Sequence, residues 1–170
     1  ESSFIYFEEF NIKDKIGSIS CIELLKDNSY KYLGGVIKEK FHLSYPFIFD
    51  FEGEIYMVPE SCNDHSIRLY KCVSFPLKWT YQYNLIDNID AADTNIFFHD
   101  NKYWLTTNVD PTNKGDQNSI LNCYYSDSPI SKEWIEHNNN PIQFRNGARN
   151  AGYVNNKNIK ISQKFSFNEY

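Results

Sequence analysis

The sequence predicts an all-β fold, a run of β-propeller blades, on three observations. Aromatic residues are 17% of the 170-residue chain, with 13 Tyr and 13 Phe, residue types that suit pleated, half-buried surfaces. A strand–turn–strand unit recurs about 50 residues apart, the interval of a four-stranded blade. A Pro-containing turn followed by Trp then closes the second half of each unit, at Pro76–Trp79 and at Pro129–Trp134. One Met and few Ala argue against long helices.

Taken in chain order, Phe4-Ile5-Tyr6-Phe7-Glu8-Glu9 lines up with Ile55 to Glu60, so the chain is expected to open on the second strand of a blade. The first full unit has strands at Ser44 to Phe49 and Ile55 to Val58, separated by a polar turn, then Ser66 to Cys72 and Thr80 to Leu85. The second has Asp93 to Phe98, a turn at His99 to Lys102, Tyr103 to Thr106, and Ser119 to Tyr125. Arg149 to Val154 reads as another first strand, followed by a turn at 155–158 and a strand from Ile159 to Gln163. The whole chain is one partial domain, 1–170, with blades at roughly 1–41, 42–91, 92–145 and 146–170. This is about three blades plus parts, whereas a ring needs four to eight to hide its edges, so the expectation is a piece of a longer protein. A β-sandwich is the alternative, but it does not require a 50-residue repeat with Trp at matched places.

Net charge −5 and the absence of a basic stretch exclude the electrostatic footprint of a nucleic-acid binder. No apolar run reaches the roughly 18 residues of a membrane span. The N-terminal residues lack the basic and apolar regions of a signal peptide, and the cytoplasm is the default expectation. Cys21, Cys62, Cys72 and Cys123 contain no CxxC pair or metal-type spacing. They read as reduced strand thiols, with a Cys62–Cys72 bridge the alternative in an oxidising compartment. No metal or cofactor is expected.

Inner strands of a propeller begin at the central channel, so their first residues converge. By the repeat these are His42 and Ser44, then Asp93 and Thr94, then Arg149 and Asn150. A carboxylate, an imidazole, a guanidinium and an amide at one mouth suit a polyhydroxylated or anionic ligand. Asp93 reads either as a pocket carboxylate for sugar hydroxyls or acid/base work, or as a strand-start residue bonding nearby amides. Glu60 shares its position with Glu9 and Asn108 and is the second candidate carboxylate. Arg149 either pairs with a ligand anion or braces Asp93. Tyr45 and Trp104 are candidates for stacking on sugar rings or for the core. His65, His99 and His137 fall in turns and read as solvated. The loop from Asp110 to Asp116 carries only a faint likeness to a calcium loop, without the alternating oxygen ligands.

The runs His42-Leu43-Ser44-Tyr45-Pro46-Phe47, Glu54 to Ser61, Phe75-Pro76-Leu77-Lys78-Trp79, Ala92-Asp93-Thr94 and Tyr124 to Pro129 together resemble the N-terminal domain of the glucosamine inositolphosphorylceramide transferase family and its bacterial relatives. The resemblance spans nearly the whole chain. It implies a five-bladed propeller related to furanosidase-like hydrolases such as arabinanases and levansucrases. It also implies a context of sugar transfer or glycan assembly, with a carbohydrate or sugar-containing acceptor as partner. A fused transferase or formyltransferase-like domain is implied as well. In the family the transfer chemistry is attributed to a separate domain, which leaves the propeller as a glycan-recognition module. The sequence departs from propeller glycosidases, which place acids at the starts of successive inner strands. Here the matching positions are read as Ser44, Asp93 and Arg149, only one of them acidic. Asn150 also stands where relatives carry Pro. Three readings stay open: carbohydrate recognition, glycoside hydrolysis or transglycosylation with Asp93 and Glu60 as the carboxylates, and a non-catalytic protein-interaction propeller.

Overall fold

The computed structural model describes residues 3–112, 114–145, 148–154 and 159–163. Strands β1 (Ser3–Asn11), β2 (Ile16–Leu24) and β3 (Tyr30–Ile37) form the first antiparallel sheet. Strands β4 (Ser44–Phe51), β5 (Glu54–Glu60), β6 (Ser66–Ser74) and β7 (Lys78–Asp87) form a four-stranded meander. The next sheet contains β8 (Ala91–His99), β9 (Lys102–Val109) and β10 (Ile120–Ser126), edged by the short β11 (Ile135–Glu136) and β12 (Gln143–Phe144). Strands β13 (Asn150–Val154) and β14 (Ile159–Ser162) form the last pair. Among the described residues there is no α-helix, and no helix is long and apolar enough to cross a membrane.

The sheets stack face to face, and the core is the set of layers between them. Along β5, Tyr56 and Val58 point into one layer with Ile67, Leu69, Leu85, Ile96 and Leu105. Met57, between them in sequence, points into the opposite layer with Ile19, Ile37, Leu43 and Tyr70. Both faces of the strand are therefore dry, which is why it reads as a continuous apolar run rather than an alternating one. Strand β8 lies against β4 on one side and β13 on the other. These inner strands are thus neighbours around a common axis. Strand β1 lies against β4 as β5 lies against β8, the place of a second blade strand.

The first blade is joined to the second by more than apolar contact. The Tyr6 ring packs edge-on against Trp79 and its hydroxyl donates to the Pro76 carbonyl at 2.8 Å. The Gly17 N–H donates to His42 Nδ1 at 2.9 Å, and the Leu43 N–H donates to the Gly17 carbonyl at 3.0 Å. A Cβ on Gly17 would lie 2.5 Å from the Leu43 carbonyl oxygen and 2.7 Å from His42 Cε1. Only glycine fits there.

The two full repeats are in one respect different from the expectation. In the structure Glu60 faces Ser44 and Phe49 faces Tyr56, while Asn108 faces Ala92 and Phe97 faces Trp104. The equivalences are therefore Ser44 with Ala92 and Tyr45 with Asp93, an offset of 48 residues that also relates Tyr56 to Trp104 and Glu60 to Asn108. Matching Ser44 to Asp93 misplaces the inner strands by one. A strand buried on both faces has no alternation to fix its parity, so the apolar pattern alone does not distinguish the two registers. The fourth strand of this second repeat is also reduced to the two-residue pieces β11 and β12. All four cysteines are free, and Cys62 and Cys72 are not bridged. The turn expected at 155–158 lies outside the described residues.

Two substitutions test this packing by urea denaturation. Met57→Ala, at a site with no exposure, is expected to cost roughly 2–5 kcal/mol. Gly17→Ala, which adds a methyl group against a backbone oxygen, is expected to cost about 1–3 kcal/mol. A neutral Gly17→Ala would show that the contact between the two blades is not close.

Candidate functional site

Each full blade begins with the same irregularity. A β-bulge interrupts β4 between Ser44 and Phe47 and β8 between Ala92 and Asn95. Within each bulge the equivalent residues Tyr45 and Asp93 have left-handed backbones, with φ of 41° and 50°. Non-glycine residues rarely adopt this region, and bulges re-aim side chains where ladder pairing must break. Strand β13 has a register shift at its start too, between Asn150 and Gly152.

The bulges bring three charged side chains together. Arg149 Nε donates to Asp93 Oδ2 at 2.6 Å, and its Nη1 donates to the Asn118 side-chain oxygen at 2.9 Å. The Arg149 Nη2 atom lies 4.0 Å from Glu60 Oε2. Asp93 is nearly inaccessible, at 3% exposure, and its carboxylate and that of Glu60 face the same Arg149 guanidinium. Burial first, and then the Asp93 charge, push Glu60 up to about 7, against the opposing pull of Arg149. The cluster is therefore an Asp93–Arg149 ion pair beside an acid that keeps its proton well above the usual carboxylate range. Tyr45, from the preceding blade, reaches across to donate from its hydroxyl to the Asn95 oxygen at 3.1 Å. Its phenol is held at about 12, chiefly by burial.

Beneath the cluster is a buried polar scaffold. Asn150 has no exposure. Its amide nitrogen donates to the Asp93 carbonyl at 2.7 Å and to the Thr106 carbonyl at 3.2 Å, and its N–H donates to Asn108 Oδ1 at 2.8 Å. Asn108 in turn donates to the carbonyls of Ile120 and Ala148. Thr94 and Thr107 share a hydroxyl–hydroxyl hydrogen bond of 2.9 Å, and Thr107 also donates to the Ala92 carbonyl. These groups hold the inner strands of adjacent blades in register around the bulge.

Of the residues singled out in the sequence, Asp93, Glu60, Arg149 and Tyr45 are thus at or beside one polar cluster. Thr94 and the side-chain NH2 of Asn150 are buried next to it and committed to protein partners, whereas Asn150 Oδ1 is buried without one. Ser44 is the strand partner of Glu60. His42 is turned to the other side, between the Gly17 N–H and Glu8, whose carboxylate lies 3.3 Å from Nε2. Trp104 packs on Tyr125 and His137 and donates to the His99 carbonyl. His137 is accordingly half-buried rather than solvated. His65 is exposed but held by Asp90, and His99 lies beside Asp100. The Asp110 carboxylate is occupied by the Thr112 hydroxyl and by the N–H groups of Thr112, Lys114, Gly115 and Asp116, which hold it well below the usual carboxylate range. It closes its loop as an amide acceptor. Among the described residues no three His, Cys, Asp or Glu side chains gather as a metal site would require.

Sequence reasoning missed Asn95 and Asn118. Asn95 stands inside an apolar run, where an amide among apolar neighbours is the one clue in the sequence; in the structure it is 1% exposed. Asn118 comes from a loop without a counterpart in the preceding blade.

With this geometry in view, the comparisons with known proteins are decisive for family. The family model described as glucosamine inositolphosphorylceramide transferase 1, N-terminal, matches residues 1–166. The chain belongs to this family. It is 37% identical over 157 residues to glucosamine inositolphosphorylceramide transferase 1 of Oryza sativa subsp. japonica, covering 89% of this chain and 21% of that protein. The Arabidopsis thaliana protein of the same name is 35% identical over 158 residues, with 91% and 20% covered. The chain thus spans about a fifth of these relatives. Solved structures with the same fold include a thermostable family-43 glycoside hydrolase, with TM-score 0.59, 14% identity, and 84% of this chain and 52% of that one covered. A family 117 glycoside hydrolase from Zobellia galactanivorans has TM-score 0.64 at 13% identity, covering 85% and 54%. An inulosucrase from Halalkalicoccus jeotgali has TM-score 0.63 at 11% identity, covering 88% and 50%. At these identities the likeness concerns the fold, which is the five-bladed β-propeller.

The raised pKa of Glu60 has a definite consequence for stability. The folded protein keeps a proton that the unfolded chain loses near 4.5, so this group stabilises the fold below that pH. Its contribution is lost as pH rises through about 7. Glu60→Gln keeps a neutral side chain at every pH. The variant is expected to show a flatter Tm profile between pH 5 and 8 and a higher Tm than the parent at pH 8. Parallel profiles for the two proteins would place the Glu60 pKa near its ordinary value.

Proposed function

We propose that this propeller recognises a carbohydrate within a glycan-synthesising protein, with Asp93, Arg149 and Glu60 forming the polar end of the site. The observation that carries this reading is the charge-balanced cluster at the bulged starts of the inner strands. Its ion pair is internally neutralised, and Glu60 keeps its proton well above the usual carboxylate range. Such a set offers donors and acceptors to sugar hydroxyls without requiring an ionic ligand. Membership of a family named for transferases supports a glycan context. The transfer step belongs, in this proposal, to another part of the longer protein, with the propeller holding a sugar-containing acceptor.

A hydrolytic or transglycosylating role is the second reading, favoured by one observation: a carboxylic acid that titrates near 7 suits general-acid catalysis. Against it, glycosidases hold their two carboxyls roughly 5 Å or more apart, across the scissile bond, whereas Glu60 and Asp93 lie on the same Arg149 guanidinium.

Glycan-array binding by the full chain, followed by titration of the best monosaccharide, tests the proposal. Asp93→Ala and Arg149→Ala are each expected to weaken binding by at least about tenfold, the worth of one charge-assisted hydrogen bond, while the far-ultraviolet spectrum stays that of the parent. Unchanged affinity in both variants would overturn the recognition reading. Release of reducing sugar that disappears in Asp93→Ala would put catalysis first.

A further inference from the structure

The loops that lead away from the cluster form a second polar site. Glu60 ends β5, and the chain continues through Ser61 into a single 3-10 turn, Cys62–Asp64, before His65. His65 has a left-handed backbone, φ 52°, as does Asn88 on the facing loop, φ 57°. The two loops are tied together where the Ile89 N–H donates to the His65 carbonyl at 3.0 Å. Between this pair of loops and the loop after β9 lies a cavity of about 530 Å³. That volume is within the roughly 300–1,000 Å³ range of small-molecule sites.

The lining is amphipathic. Ile89 and Pro111 supply apolar surface, and Asn88, Asn122, Asp90 and His65 supply polar groups. Asp90 binds His65 at Nδ1, which fixes the ring and leaves Nε2 for another partner. Asp110, although part of the wall, directs its carboxylate to its own loop amides, so it adds shape more than charge. Apolar patches that accept the C–H face of a ring, rimmed by amides and an oriented imidazole, suit a sugar unit better than an ion.

The groove is tied to the cluster through the chain, since Asp90 precedes Asp93 at the start of β8 and His65 follows Glu60 at the end of β5. Cys62 lies between Glu60 and His65 in the chain, and Gln117 Nε2 donates to its sulfur at 3.5 Å. We propose that the groove beside His65 and Asp90 is a second sugar subsite, holding the next unit of an oligosaccharide whose terminal unit sits at Asp93, Glu60 and Arg149. This inference rests on the carbohydrate reading of the central cluster and extends it from a single sugar to a chain.

The test compares mono-, di- and trisaccharides of glucose, galactose and arabinose by calorimetric titration of the full chain. In the series that binds, the step from one unit to two is expected to raise affinity roughly tenfold. His65→Ala removes the imidazole from an exposed position, and Pro111→Trp fills the groove from its exposed rim. Both are expected to abolish the length-dependent gain and leave monosaccharide affinity as in the parent. The disaccharide should also shield His65 from diethylpyrocarbonate, which the monosaccharide should not. A gain that persists in both variants, or monosaccharide binding with no gain, overturns the second subsite while the central site stands. Monosaccharide affinity that is absent, or indifferent to both Asp93→Ala and Arg149→Ala, overturns the central reading and the groove with it.

Discussion

The central sheet of this domain, β4 to β7, depends on its neighbours to cover both faces. A single four-stranded meander such as β4 to β7 has Tyr56 and Val58 on one side and Met57 on the other. Neither side can be left to water without losing the burial that offsets the entropy of ordering the chain. Face-to-face stacking solves this for consecutive sheets at once. It also determines where polar groups can gather, because the layers between sheets are apolar and the inner strand ends are the places where backbones of different blades converge. The Asp93 cluster is therefore a product of the stacking: Glu60 comes from one blade, Asp93 from the next, and Arg149 from the start of a third.

The polar scaffold under the cluster follows the same logic. Buried amide N–H groups are costly unless satisfied, and the side-chain NH2 groups of Asn108 and Asn150 are satisfied by carbonyls within and across the junction between blades. The amide hydrogens of Asn150 stabilise the carbonyl of Asp93, the residue with the left-handed backbone. A local conformation that costs free energy is in this way fixed by its surroundings. The rigidity serves the site, since the carboxylate is aimed by the backbone as well as by Arg149.

Much of this was legible in the sequence, for physical reasons that can be named. The blades were visible because fully buried strands such as Ile55 to Val58 are apolar throughout and polar turns separate them at a repeating interval. Asp93, Glu60 and Arg149 were visible because ionisable residues at strand ends break an apolar pattern. The exact register of β4 against β8 was not visible, because a strand buried on both faces contains no parity information, and the bulges that reveal it are backbone features. His42 was placed with the cluster on its position before an inner strand. The close approach of Gly17, which draws that ring to the first blade, involves residues 25 positions apart and is a tertiary fact. The cage of N–H groups around Asp110 was likewise hidden, since a loop rich in Asp and Gly reads the same whether its carboxylate accepts amides or binds a cation.

The bulges at Tyr45 and Asp93 also separate two kinds of evolutionary change. On the core side of each bulge, side chains alternate between two packed layers, and a shift by one residue would exchange the contents of both. On the site side the extra residue has already absorbed that shift, so the alternation starts afresh. The two segments of one strand are thus out of phase and no longer constrain each other. Residues at the mouth can be replaced, or change which way they face, while Phe47, Phe49 and Ile96 keep their layers. A single strained position at the start of β4 and of β8 in this way gives the scaffold a joint at which the mouth can change while the packing behind it stays the same.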